Sequence, residues 1–217
     1  MLPLVASALR LGSSSPDALV VLFHGLTGDR SSLKSLAEAW AAERPGAQFV
    51  LMQAMESSSR GGFDWFPFPK RRDECASEAA FVSDVVLPSL LRCRADVSDA
   101  LDELMAELRL KEDRVVLAGF SQGAAVAAYT GLARGVAGVL PMGGPCPPRE
   151  QLLPDPATTP TKVCIISGEL DGSAPAAELE AAFSNYSGRV HILPGVRHSI
   201  ASDHLTIGAD FLAEVLK

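Results

Sequence analysis

The chain reads as an α/β protein, a mostly parallel sheet with helices on both of its faces. Three observations predict this. Short runs of consecutive apolar residues alternate with longer stretches of helical spacing along the chain. The apolar runs are hydrophobic at every position, so both faces of each strand are buried, as parallel sheets require. Finally, 217 residues with 47% hydrophobic and 21% charged content can bury a sizeable core, and that length fits one domain over 1–217.

Taken in order, Met1–Leu11 is apolar and broken only by Arg10. It lacks an early basic region and a small-residue cleavage site, so it is expected to form a first strand, not a signal peptide. Ala18–Phe23 (ALVVLF) is a buried strand. Ser31–Glu43 carries Leu33, Leu36, Ala37 and Trp40 at helical spacing, with Ser31 or Ser32 able to cap it. Gln48–Met52 is the next buried strand. Asp96–Leu110 places Val97, Leu101, Leu104 and Leu108 on one stripe, which predicts an amphipathic helix. Arg114–Ala118 is a strand, and the small residues of Ala124–Leu132 suit a helix packed tightly on a sheet. Val136–Leu140, Lys162–Ser167 and Arg189–Leu193 complete the strands, with helices at Ala176–Phe183 and His204–Leu216.

The net charge of −7 works against phosphate backbones, and Lys70-Arg71-Arg72 is too short a basic run to reverse that, so nucleic-acid binding is excluded. Apolar runs fall short of the roughly 18 residues a membrane helix needs, leaving at most a transient contact with a membrane surface. Cys75, Cys93, Cys146 and Cys164 have neither C-x-x-C spacing nor a nearby histidine, so no metal site is expected. They read as scattered thiols in a reducing, cytoplasmic setting. Asn185-Tyr186-Ser187 is a glycosylation sequon without a secretion signal.

Chemistry concentrates at Gly119-Phe120-Ser121-Gln122-Gly123. Alone, this G-x-S-x-G pattern is a modest signal. Here it follows a predicted buried strand and precedes a small-residue helix, the context of a nucleophile elbow. A serine hydroxyl needs a base to take its proton, and four histidines are available. His191 lies inside a strand, His24 precedes the serine, and His204 opens the last helix. His198 sits in a loop after the final strand. The order serine, acid, histidine of elbow hydrolases favours His198 over His204. The acid then belongs after Lys162–Ser167, where Asp171 is better placed than Glu169 to reach the His198 loop. Oxyanion-hole donors are expected at the backbone N–H of Gln122 and of Leu26, in the loop after the first buried strand.

Five stretches resemble the phospholipase/carboxylesterase family of α/β-hydrolases: FHGLTGD (23–29), GGFDWFP (61–67), LAGFSQGAAVA (117–127), GELDGSAP (168–175) and GVRHSI (195–200). The family includes acyl-protein thioesterases, lysophospholipases and small esterases. The resemblance implies Ser121, Asp171 and His198 as a triad and ester or thioester hydrolysis without a cofactor. Two positions depart from it. Thr27 is inserted in the His-Gly-x-Gly-Asp pattern, and Gly172 stands where proline often follows the acid.

Four aromatic residues fall within Phe63–Phe68. That density predicts an apolar rim on an open cleft, with Trp65 and Phe66 matching the family's Trp-Phe pair and favouring acyl chains of short to medium length. Substrates in scope are a small ester, an acyl-thioester, an S-acylated protein or a lysophospholipid. A non-catalytic binding protein of this fold is disfavoured because all three triad residue types are present, and a dienelactone-type hydrolase because the elbow carries serine and not cysteine. No nucleotide-binding Gly-rich motif follows a strand. The expected assembly is a monomer or weak dimer.

Overall fold

A computed structural model describes residues 1–66, 80, 82–145 and 152–217. Its frame is a seven-stranded sheet: β1 (Leu9–Gly12), β2 (Ala18–Phe23), β3 (Ala47–Met52), β6 (Val115–Phe120), β7 (Gly138–Met142), β8 (Lys162–Gly168) and β9 (Gly188–Leu193). The spatial order is β1-β3-β2-β6-β7-β8-β9. Only β1 runs antiparallel, against β3, so the predicted mostly parallel sheet holds. β4 (Glu56–Ser57) and β5 (Phe63–Asp64) form a separate two-stranded hairpin.

Among the described residues, helices α1 (Pro3–Ser7), α2 (Lys34–Glu43), α3 (Leu87–Leu108), α4 (Gln122–Arg134), α5 (Ala176–Phe183) and α6 (Asp203–Val215) pack on the sheet. Alternate residues of each strand feed opposite faces. Leu19, Val21 and Phe23 of β2 join one core cluster with α1, α3, α4 and α5 residues. Ala18, Val20 and Leu22 join the other, with Leu36 and Trp40 of α2 and Phe211 and Leu212 of α6. Residues buried on both faces explain why these strands read as continuous apolar runs. Among the described residues no helix is long and apolar enough to cross a membrane.

The strand order reverses between β2 and β6, which lie side by side with Phe23 opposite Gly119. In such sheets this switch point opens a crevice at the carboxyl ends of the strands. The loops after β2 and β6 meet there.

Three expectations are corrected. Met1–Leu11 is not one strand: Pro3 starts a short helix whose Leu4 and Val5 join the core cluster that also holds Leu101 and Leu104 of α3, and β1 follows it. Proline is well suited to a first helical turn because it has no N–H to leave unpaired. Neither Ser31 nor Ser32 caps α2, which starts at Lys34 with no side-chain cap. Both serines are taken up by Asp29. Its Oδ1 accepts the Ser31 N–H at 2.8 Å and the Ser31 hydroxyl at 2.6 Å, and Ser32 Oγ accepts the Asp29 N–H at 3.0 Å. These donors hold the Asp29 carboxyl below its usual range. Finally, α3 begins well before Asp96, after a π-helical turn at Val82–Val86. Leu90 and Cys93 extend the buried stripe of Val97, Leu101 and Leu104 backwards at the same spacing.

Candidate active site

The turn between β6 and α4 is forced tight by what surrounds it. A Cβ on Gly119 would stand 2.2 Å from the Gly123 carbonyl oxygen, and one on Gly123 would stand 2.1 Å from that of Phe23. Only glycine permits this approach of backbone to backbone. Between them Ser121 adopts φ 56°, ψ −115°, a conformation that costs a non-glycine residue about 1–3 kcal/mol. Its N–H is held by the Met142 carbonyl at 2.9 Å. The turn leaves Oγ facing the loops that follow β8 and β9.

His198 meets it there. Its Nε2 lies 2.8 Å from Ser121 Oγ, and its Nδ1 lies 2.7 Å from Asp171 Oδ2. Asp171 is only 4% exposed. Its other oxygen, Oδ1, accepts the N–H groups of Ser173 (2.9 Å) and Ala174 (3.1 Å). An ionised carboxylate can only accept, so the His198 Nδ1–H donates to it and the Nε2 lone pair faces the serine hydroxyl. The two backbone donors fix the acid turn although Gly172 has replaced proline.

The alternatives at each position have other partners. Glu169 accepts the Gly195 N–H at 2.8 Å and so tethers the loop that carries His198, with no hydrogen bond to a histidine among the described residues. The buried His204 ring accepts the Ala201 N–H at 3.1 Å at the start of α6. His191 is half-buried in β9. His24 is 2% exposed; its Nδ1 donates to the Gly25 carbonyl (2.8 Å) and its Nε2 accepts the Ala54 N–H (3.2 Å). Burial pushes His24, His191 and His204 below their ordinary value, favouring neutral rings.

The loop after β2 lies against Ser121, since a Cβ on Gly25 would be 3.4 Å from Ser121 Cβ. The N–H groups of Leu26 and of Gln122, the first residue of α4, have no hydrogen-bond partner among the described residues. A helix N-terminus adds a favourable field for negative charge beside Gln122. The extra residue Thr27 is absorbed by a left-handed turn at φ 60°.

Trp65 and Phe66 depart from the expected open rim. They are 7% and 8% exposed and belong to the core cluster. The Trp65 indole N–H donates to the His24 carbonyl at 2.8 Å, and the ring packs edge-on to Phe23 and beside His24. An indole that is nearly buried with its N–H satisfied supports the loop beneath it more than it presents a surface. Phe68 lies outside the described residues. Sequence reasoning also missed the Gln122 side chain, whose Oε1 accepts the Trp65 N–H (2.8 Å) and whose Nε2 donates to the Phe66 carbonyl (2.7 Å). Phe120 went unnoticed too, its ring centroid 4.9 Å from that of His198. Of the cysteines, Cys93 and Cys164 are buried free thiols, each pushed up to about 12; Cys75 and Cys146 lie outside the described residues.

The strain at Ser121 gives a stability prediction. Ser121→Ala keeps the unfavourable φ, and Ser121→Gly removes it, while both lose the bond to His198. The glycine variant is expected to be the more stable by about 1 kcal/mol, or roughly 2–4 °C in Tm for a chain of this size. Thermal melts of the two variants check this; an alanine variant that melts as high as the glycine one would contradict it.

A mostly parallel sheet with a strand–serine turn–helix at its switch point defines an α/β-hydrolase. The chain belongs to the phospholipase/carboxylesterase family: the family model described as Phospholipase/Carboxylesterase matches residues 7–216, so its general activity is ester hydrolysis. Among solved structures it is similar to esterase PE8, at 29% identity and a TM-score of 0.82, covering 97% of this chain and 99% of that one. It is also similar in fold to a carboxylesterase from Mesorhizobium loti (23% identity, TM-score 0.70, 94% and 92% covered). A phospholipase/carboxylesterase from Dyadobacter fermentans shares the fold at 18% identity (TM-score 0.72, 95% and 96% covered).

Proposed function

We propose that the protein is a serine hydrolase that cleaves carboxylic esters or thioesters through an acyl-enzyme. One observation carries the reading, the continuous hydrogen-bonded chain from Ser121 Oγ through His198 to Asp171, at 2.8 and 2.7 Å. His198 Nε2 takes the Ser121 proton as Oγ bonds to the acyl carbon. The same proton then passes to the leaving alcohol or thiol as its bond to that carbon breaks. Water repeats the sequence and releases the acid. Asp171 holds the tautomer and stabilises the imidazolium, and the N–H groups of Leu26 and Gln122 receive the charge that develops on the carbonyl oxygen. No step calls for a cofactor. Small esters, acyl-thioesters and S-acylated proteins are the substrates in scope. The buried free thiols Cys93 and Cys164 fit a reducing, cytoplasmic setting, with a monomer or weak dimer as the working form.

The test is a substrate panel: p-nitrophenyl esters from acetyl to octanoyl, an acyl-thioester peptide and a lysophospholipid. Turnover of any of them that His198→Ala removes supports the reading. A folded protein inactive on all of them would sink it.

The same ester series tests what Trp65 does. Trp65→Phe keeps a ring in the core but removes the bond to the His24 carbonyl. If Trp65 supports the loop that carries Leu26, kcat/KM falls by a similar factor, about 10-fold, at every chain length, a fraction of the roughly 10²–10³ for deleting an oxyanion donor outright. A loss that grows with each added methylene would make Trp65 a wall of the acyl site instead.

A further inference from the structure

We propose that the segment Gly62–Phe66 is a strap that holds the two oxyanion donors in register, and that Asp64 is its positioning residue. This rests on the esterase reading above. The two donors belong to separate parts of the chain, Leu26 to the loop after β2 and Gln122 to the start of α4, and neither loop bonds the other directly among the described backbone pairs. The strap bonds both. Toward the Leu26 loop, Asp64 Oδ1 accepts the Thr27 N–H at 2.9 Å, the Phe63 N–H donates to the Gly28 carbonyl at 2.9 Å, and the Trp65 indole donates to the His24 carbonyl at 2.8 Å. Toward the elbow, the Trp65 N–H and the Phe66 carbonyl are both taken by the Gln122 side-chain amide, at 2.8 and 2.7 Å. Backbone runs against backbone at Gly62, where a Cβ would stand 1.9 Å from the Thr27 carbonyl oxygen.

Asp64 matters most because of Thr27. Thr27 is a non-glycine residue at φ 60°, and it directly follows Leu26. The Thr27 N–H donates to Asp64, while that of Leu26 has no partner among the described residues. Without an acceptor at position 64 the turn can relax toward a right-handed conformation, and the peptide between Leu26 and Thr27 rotates with it. An oxyanion donor stabilises charge only while it is aimed at the oxygen as it becomes tetrahedral, so the cost falls on the transition state and not on substrate binding.

The experiment compares Asp64→Ala and Asp64→Leu, which lack an acceptor, with Asp64→Asn, which keeps Oδ1. Asp64 is only half-buried, and thermal melts establish that each variant is folded; the leucine keeps the side chain's size should the alanine prove unstable. With p-nitrophenyl butyrate, kcat is expected to fall about 10–100-fold in the alanine and leucine variants while KM stays within about threefold. The affinity for an alkyl trifluoromethyl ketone, whose adduct places an oxyanion in the same hole, is expected to fall by the same factor. Asp64→Asn restores both to within a few-fold of wild type. A folded leucine variant with wild-type kcat overturns the proposal. So does a fall in kcat without a matching loss of ketone affinity, or an asparagine variant as poor as the leucine one. The wild type is its own control for the underlying reading: a wild type that neither turns over the ester nor binds the ketone overturns the esterase reading and the strap together.

Discussion

Ser121→Ala is expected to lower kcat on a p-nitrophenyl ester by about 10⁴–10⁶-fold, with KM little changed. The alanine variant keeps the fold and the free N–H groups of Leu26 and Gln122 but has no atom to form the acyl-enzyme. Residues of a triad act as one unit, so His198→Ala should cost about as much, and the double variant no more than either alone. Direct attack by water, aided by the remaining donors, sets the residual rate. His204→Ala should leave kcat within a few-fold of wild type, because His204 bonds the Ala201 backbone at the start of α6 and not the serine. Its cost is expected in thermal stability. Steady-state kinetics of the four variants check the set, and a lethal effect on kcat from His204→Ala would contradict the assignment of the base.

Asp171→Asn is expected to lower kcat by roughly 10⁴-fold. The Asp171 turn already supplies two N–H donors, from Ser173 and Ala174, to Oδ1. An asparagine therefore keeps its carbonyl oxygen on those donors and turns its NH₂ toward His198. That donor requires an acceptor at Nδ1, so the ring places its proton on Nε2, where the base must have none. The fold barely changes and the chemistry stops. Glu169→Gln tests the rival acid. Its oxygen still accepts the Gly195 N–H, so kcat should stay within a few-fold. A reversed order, with the Glu169 change the more damaging, would contradict the geometry of the two loops.

The parts of the molecule that were legible in the sequence are those where one residue answers one local demand. The fully apolar strands, and Gly119 and Gly123 beside the serine, could be read from neighbouring residues, and the serine–acid–histidine order from the linear sequence. Burial on both faces and backbone crowding are written locally, and chain order is read without any contact being known. The ends of elements were harder. Ser31 and Ser32 look like helix caps until Asp29 claims them, and Leu90 and Cys93 extend α3 through a stretch whose polar residues obscured the stripe. The N-terminal helix escaped because five residues carry too little periodicity to be distinguished from a strand.

The support of the site was not legible, because it depends on contacts across long separations. Nothing near Asp64 announces a bond to Thr27, 37 residues away in sequence, and nothing near Gln122 announces its grip on Trp65 and Phe66, 57 and 56 residues away. The burial of Trp65 is not legible for a related reason. An aromatic residue in a Gly- and Pro-rich loop suits an exposed rim as well as it suits a plug, and only its burial against Phe23 and His24 decides. The extra residue Thr27 is a clue, since an insertion in a loop that lies against Ser121 calls for something to hold it.

The central claim is that Ser121 is an activated nucleophile, and covalent labelling tests it most directly. The protein is treated with a fluorophosphonate, digested and mapped by mass spectrometry. The account predicts one adduct, on the peptide carrying Ser121, absent in Ser121→Ala and strongly slowed in His198→Ala. An adduct on another residue, or labelling that persists in a folded Ser121→Ala protein, would contradict it.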